Sequence, residues 1–474
     1  MSKSTSSNWL LTKAEQKAQD AKSDKVSSEA PFSFLVNVRD KDKNPPSSPN
    51  YDPRTVYVPP SAWKGFTPFE KQFWEIKQNH FDTVLFFQKG KFYELYEDDA
   101  LIAHREFDLK LTDRVKMKMA GVPEGSFDLF AAKFLALGYK VGRVDQMETA
   151  VAKGMREQKS KGPKGDSIVN RELRHVLTSG TIVEPAALPD DMNSYCISIK
   201  EELLAEDLET AKYPTIGICT LDAATAEFRL SHFTDDETRC QLETLLRSLR
   251  VKELLYEKGH LSQASLRMIK NCVTQDCRIT MLKPKEEFLS ADAAREKVKE
   301  LFAGGAEPPE AITSMEEHDE AMSALGAMLS YLNDLNLDKD LCSSRNFDIY
   351  DPIRNNECLI LDAQSLTHLN VLTNEQGNDE GTLHQLLNRC VTPFGKRLFK
   401  IWLISPLRSI DAINARLDAV EDLLQDSEFE KSFGKFASRL PDIERIIPRI
   451  YAGKCKPREF VGVLNALSSL GQAV

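Results

Sequence analysis

Long apolar runs, paired cysteines and clustered histidines are all missing from this sequence, and each absence removes a class of protein. No stretch approaches the roughly 18–20 apolar residues of a membrane helix, so no membrane partner is expected. The N-terminal stretch MSKSTSSNWLLTKAEQKAQDAKSDK is polar and lacks the apolar centre of a secretory signal. The nine cysteines are scattered, without a CxxC pair. Cys272 and Cys277 are the nearest two, and no histidine joins them at zinc-finger spacing. Free thiols in a reducing cytosolic or nuclear setting are the expectation.

Loops that carry catalysis are scarce too. Lysine follows glycine at Gly90, Gly395, Gly434 and Gly453, but Ser or Thr never comes next, so these residues form no Walker A loop. No G-x-S-x-G stretch offers a serine nucleophile. The eight histidines stand apart and read as surface or core residues rather than metal ligands. Asp222, after TIGICTL, could imitate the strand-borne carboxylate of a metal-dependent nuclease, which needs several further carboxylates. It precedes AATAEF, a turn sequence, and a turn-forming aspartate is the preferred reading.

What is present is a soluble-type composition, 41% hydrophobic and 28% charged, with a formal net charge of −10. That balance argues against unspecific coating of nucleic acid, although one basic stretch stands out. From Lys153 to Arg174, KGMREQKSKGPKGDSIVNRELR is either a solvated loop or a flexible arm along phosphates. A chain of 474 residues exceeds one ordinary core, and about three domains are expected.

Residues 1–55 are rich in Ser, Lys, Asp and Pro and read as a disordered tail and extended lead-in, with FSFLVNV the one apolar handhold. Helix, hairpin, helix and strand then alternate over 56–178, an α+β domain. Its first helix has Thr67 as cap, Pro68 at the first position and Glu70 three residues after the cap. A second domain spans 179–345. SYCISIK, TIGICTLDAA and AEFRLSHF predict three successive strands, DETRCQLETLLRSL a helix and ELLYE a strand, giving a mixed sheet. The helix AMSALGAMLSYLNDL closes it with Leu325, Met328, Leu329, Leu332 and Leu335 on one side. From 346 to 474 the pattern is helical, with Thr392 capping one helix and Ile410, Ile413, Leu417, Val420 and Leu424 sharing a face of another. The last pattern, REFVGVLNALSSLGQAV, reads as a helical bundle cut short. The fold class is multidomain α/β.

One short stretch invites a functional reading. TVLFFQK and FYELY, joined at Gly90, predict a β-hairpin whose alternation puts Phe92, Glu94 and Tyr96 on one face and Tyr93 and Leu95 on the other. The residues alone leave two readings open. One is a core hairpin with a single exposed ring. The other is a wedge that unstacks a base step, at a cost lowest where pairing is already poor. In the second reading Glu94, which phosphates repel, becomes useful by hydrogen-bonding to an unstacked base.

The flanks decide which reading carries weight. VLFFQKGKFYELYEDDA resembles the mismatch-binding domain of the MutS family, whose signature is Phe-X-Glu, here Phe92-Tyr93-Glu94. TPFEKQFWEIK, AGVPEGSF, GYKVGRVDQMETA, RELRHVLTSGTIVE, GTLHQLLNRCVTPFGKRLFKIWLISPL and INARLDAVEDLL follow in the same family order. The resemblance implies an α+β mismatch-binding domain, a ribonuclease-H-like connector domain and the start of an α-helical core or lever domain. It implies a nuclear sensor of base mispairs and small insertion or deletion loops, with Phe92 wedging beside the mispair and Glu94 bonding to its base. Candidate phosphate neighbours are Lys89, Lys91, Lys116, Lys118, Lys153 and Arg156.

The same resemblance implies mispaired double-stranded DNA as ligand and the second eukaryotic MutS homologue as heterodimer partner, in MutSα. No metal, cofactor or catalytic residue is expected within this chain. ATP and Mg belong to a C-terminal ATPase that the family carries beyond the point matching Val474. A clamp-binding QxxLxxFF peptide, common in this branch, does not occur in residues 1–50. Two competing readings are a MutS-like scaffold that binds partner subunits without reading DNA, and a nuclease built around Asp222.

Overall fold

The computed structural model describes residues 32–114, 117–147, 168–203, 213–303, 307–350 and 358–473. They fall into two compact units, one of residues up to 127 with 139–176, the other of 128–138 with 177–474.

The first unit is built on a mixed sheet of order β3-β4-β2-β1-β5-β6. Its strands are β1 (Thr83–Lys89), β2 (Phe92–Tyr96), β3 (Thr112–Arg114), β4 (Met117–Pro123), β5 (Lys140–Gln146) and β6 (Arg171–Leu177). β1 and β2 form the expected antiparallel hairpin, closed at Gly90, whose φ of 61° suits a residue without Cβ. The helix Pro68–Lys77 starts where its sequence says it should. The Thr67 hydroxyl accepts the Glu70 N–H at 3.3 Å, and the Glu70 carboxylate accepts the Thr67 N–H at 2.7 Å. Its Phe73 and Trp74 are buried, and Phe73 packs on Phe87 and Tyr96 at 5.1 and 5.5 Å between ring centres.

The same helix is pinned to the sheet by a buried ion pair. Lys77 Nζ lies 2.7 Å from Asp99 Oδ1 and also donates to the Thr83 carbonyl, while Asp99 Oδ2 accepts the Leu85 N–H at 3.0 Å. Each charge thus has a hydrogen-bonding partner, the condition for tolerating it away from water.

Within the region expected as tail and extended lead-in, Phe32, Phe34 and Asp40 are buried, while most of residues 41–50 are exposed. Phe32 and Phe34 set their rings edge-on against Trp74, at 5.5 and 4.9 Å. The Asp40 carboxylate closes the following loop by accepting the N–H groups of Asn44 and Asp52 at 2.7 and 3.0 Å. Two aromatic rings suffice to anchor a segment whose Ser, Pro and Lys content gave no periodic signal. Residues 1–31 lie outside the described set.

The second unit carries a sheet of order β11-β10-β7-β8-β9-β12. β7 (Tyr195–Leu203), β8 (Pro214–Asp222) and β9 (Glu227–Thr234) are the three successive strands read from the sequence, all antiparallel. β10 (Val251–Glu257) and β11 (Arg278–Leu282) extend the sheet in parallel, and β12 (Phe347–Ile349) runs parallel to β9. The helix Asp319–Asp334 lies on β8 at close range. A Cβ on Gly217 would sit 2.1 Å from the Glu320 carbonyl carbon, so only glycine permits this approach.

That helix buries more than the one side its pattern predicts. The predicted apolar side, Leu325, Met328, Leu329, Leu332 and Leu335, is buried, and so are Ala321, Met322, Ala324 and Ala327 outside it. Small residues on its second face let another helix, Ala291–Leu301, dock there, with Gly326 meeting Ala294 too closely for any side chain. Alanine and glycine contribute little to an amphipathic pattern, so the second contact face was invisible in the periodicity.

From residue 393 on, the elements are the helices Pro393–Ile404, Ile410–Gln425, Ser427–Ala437, Ile443–Tyr451 and Pro457–Ala473. Thr392 caps the first of these by accepting the Gly395 N–H at 3.1 Å. Arg397 is buried and anchors the group: it donates twice to Asp442, at 2.7 and 2.9 Å, and once to the Asp191 carbonyl at 3.0 Å. On Ile410–Gln425 the apolar face is exposed, Ile410 at 74% and Leu424 at 78%.

Candidate nucleic-acid interface

The hairpin end of the first unit gathers the candidate residues. Phe92 opens β2 opposite Lys89 and is 52% exposed. Tyr93, its neighbour, points the other way and is buried, its ring tilted against Phe127 at 5.0 Å. Strand alternation explains this reversal within one peptide unit.

Glu94 returns to the face of Phe92 and stands opposite Phe87 on β1 and Gly121 on β4. The bare glycine leaves the space beside the carboxylate unfilled by a side chain from β4. Its side chain is only 12% exposed; Oε1 lies 3.7 Å from Lys89 Nζ and Oε2 accepts the hydroxyl of Tyr96. Burial pushes the Glu94 carboxyl above its ordinary range, opposed by the Tyr96 hydroxyl and by the positive field of Arg171.

The expected inward face of β2 is buried at Tyr93 and Leu95, whereas the opposite face is open at Phe92 alone. Tyr96 shares the face of Phe92 and Glu94 but is buried, its ring 5.1 Å from that of Phe69. Helix Pro68–Lys77 covers this end of the strand, so the hairpin is exposed at its turn, from Gly90 to Phe92.

Polar contacts hold that tip from both neighbouring strands. The Gly90 N–H donates to Gln146 Oε1 at 3.3 Å, and the Gln146 N–H donates to Gln88 Oε1 at 2.9 Å. Gln88 Nε2 reaches Glu124 Oε1 at 3.2 Å, and the Glu124 N–H donates to the Lys91 carbonyl at 2.9 Å. Arg171 Nε donates to the Gln88 carbonyl at 2.8 Å. Sequence reasoning named neither Arg171 nor Tyr96 as a partner of Glu94. The two-residue spacing could have flagged Tyr96, whereas Arg171 comes from β6 and carried no local signal.

Of the candidate phosphate neighbours, Lys89 and Lys91 flank the turn beside Phe92. Lys118 does not join them: the register puts Met119 opposite Tyr96, at the far end of β2, and Lys118 Nζ pairs with Asp113 Oδ1 at 2.5 Å. Lys116, Lys153 and Arg156 lie outside the described residues, as does most of the basic stretch beginning at Lys153.

Asp222 takes the turn role. Its buried carboxylate accepts the Ala224 N–H at 3.0 Å and the amide of Asn193. Among the described residues no group of three or more His, Cys, Asp or Glu side chains is placed to hold a metal ion. All nine cysteines are unpaired thiols.

Comparison with known proteins assigns all three parts of the chain. Residues 67–186 match the family model MutS domain I, residues 194–344 match MutS domain II, and residues 364–474 match MutS domain III. The chain is 39% identical over 459 residues to the DNA mismatch repair protein MSH6 of Saccharomyces cerevisiae, covering 93% of this chain and 36% of that protein. Human DNA mismatch repair protein Msh6 is 31% identical over 87% of the chain and 33% of its own length. The MutS protein of Caldanaerobacter subterraneus is 28% identical over 85% of the chain and 43% of its own. The chain therefore spans about a third of the eukaryotic relatives it matches. With three consecutive domain models matched in order and MSH6 proteins among its relatives, this chain belongs to the MutS family of DNA mismatch repair proteins.

Proposed function

We propose that the hairpin tip reads mispairs in duplex DNA, with Phe92 as the wedge and Glu94 as the contact to the displaced base. The observation that carries this reading is an exposed phenyl ring held beside a shielded carboxylate on a hairpin braced by β4, β5 and β6. A ring inserted from the minor groove unstacks a base step at a cost of a few kcal/mol, which is lowest where pairing is already defective. Glu94, beside it, is set to hydrogen-bond to the base that the wedge displaces. Lys89 and Lys91 supply positive charge against the flanking phosphates.

In its complete form the protein acts as the mispair-reading subunit of a nuclear heterodimer with a second MutS homologue, on base mispairs and small insertion or deletion loops. ATP and Mg couple to it through a domain beyond the residues described. The names of the MSH6 relatives, together with the Phe-X-Glu pair, favour a reading subunit over a partner-binding scaffold.

The test is binding of the complete protein, with its partner subunit, to matched and G·T-containing duplexes. Phe92→Ala is expected to lower the preference for the mispair by about 5- to 150-fold, the range set by loss of one stacking contact, while matched-duplex binding keeps its salt dependence. Equal preference in the variant and the parent would remove Phe92 from the reading.

A further inference from the structure

Behind the hairpin tip, Tyr96 is placed to govern Glu94. Its ring is locked among Phe69, Phe73 and Phe87, at 5.1, 5.5 and 6.3 Å, so the hydroxyl has a fixed direction. That hydroxyl meets Glu94 Oε2, while Oε1 stands on the side of Lys89. A glutamate on a strand otherwise has three side-chain torsions to lose before it can contact a base in one geometry.

We propose that Tyr96 is a positioning residue for mispair reading, its hydroxyl holding one oxygen of Glu94 inward so that the other is presented beside Phe92. This inference rests on the reading of Glu94 given above.

The same contact selects which base edges Glu94 accepts. An ionised carboxylate takes a hydrogen bond from a base N–H, whereas a protonated one donates to a base oxygen or ring nitrogen. Among the described residues, the Tyr96 hydroxyl from β2, Lys89 from β1 and the positive field of Arg171 from β6 favour the ionised form of Glu94. Gly121 on β4 adds no charge. Burial works against them, so the carboxyl is poised above its ordinary range and responds to the loss of a single donor. With Tyr96 in place, Glu94 remains an acceptor to lower pH and favours mispairs that offer an N–H.

The experiment measures the G·T to G·C affinity ratio of the complete protein with its partner between about pH 5 and 8.5. The parent is expected to show a step and Glu94→Gln a flat profile. Tyr96→Phe keeps the ring and removes only the hydroxyl; its step is expected about one unit higher, with G·C affinity unchanged. Replacing Tyr96 by 3-fluorotyrosine, a stronger donor, moves the step the other way. If both Tyr96 replacements superimpose on the parent while Glu94→Gln is flat, Tyr96 does not position Glu94, and the reading of Glu94 stands. A parent without a step, or a step surviving in Glu94→Gln, overturns the proton-dependent role of Glu94 and this inference with it, while Phe92→Ala still tests the wedge separately.

Discussion

Tyr93 donates its phenol hydrogen to Asp145 Oδ1 at 2.7 Å, across the sheet from the face on which its neighbours Phe92 and Glu94 stand. Arg143 Nε meets the same oxygen at 2.9 Å, and Arg174 lies 3.5 Å from the other. The residue between the two proposed reading groups is thus a structural tether, and its contacts fix the strand that aims them.

Tyr93→Phe separates holding from reading. Loss of one hydrogen bond to a charged group, with Arg143 still compensating Asp145, is expected to cost about 1–2 kcal/mol of local stability. Hydrogen exchange of the β2 amides should speed up accordingly, while binding to matched duplex stays at the parent level.

Glu97 gives the first unit a pH dependence of its own. It follows β2 with φ at 51°, an uncommon backbone conformation for a residue with a side chain, and its Oε1 accepts the Lys118 N–H at 3.0 Å. Burial pushes its carboxyl from an ordinary 4.5 up to about 7, against the opposing pull of that N–H. A folded-state value above the unfolded one means that the folded chain holds the proton more tightly. Stability from this group is therefore full below the unfolded value and falls as pH rises through the window up to about 7. Glu97→Gln should flatten the trend, by about 1 kcal/mol between pH 4.5 and 7 after allowing for partial solvation, read from exchange of β2 and β4 amides.

Gly217→Ala tests the close packing of the second unit. The added methyl would meet backbone of Glu320 and Ala321 at 2.1–2.3 Å, where no side chain can rotate aside. The helix must lift from β8, at a cost of about 3 kcal/mol, the upper end for overpacking. Thermal unfolding should register the loss in the second unit, and exchange in the first-unit sheet should remain at parent rates.

Local signals were the readable ones. The Thr67 and Glu70 capping box, the Gly90 hairpin and the three strands of the second unit each depend on residues close in sequence, where capping, turn chemistry and alternation act. The rest depends on distance. Phe32 and Phe34 gain their role from Trp74, some forty residues away, and Lys77 from Asp99 across a hairpin. The small-residue face of Asp319–Asp334 looked neutral because Ala and Gly mark close approach only when the neighbouring helix is known.

The candidate site divides in the same way. Phe92 and Glu94 could be placed on one face from alternation, but the surroundings of Glu94 could not, since the positive field of Arg171 comes from β6 and Tyr96 is buried by a helix on which the strand's own pattern is silent. Lys118 looked equivalent to Lys89 by charge, and only the register of β2 with β4 moves it to the other end of the strand.

The central claim is that Phe92 enters the stack beside a mispair. It is tested most directly by placing the fluorescent base 2-aminopurine next to a G·T mispair and adding the complete protein with its partner subunit. Unstacking relieves the quenching of this base, so the parent should brighten the mispaired duplex and leave a matched one dark, and Phe92→Ala should bind without brightening. Equal brightening by parent and Phe92→Ala would contradict the wedge.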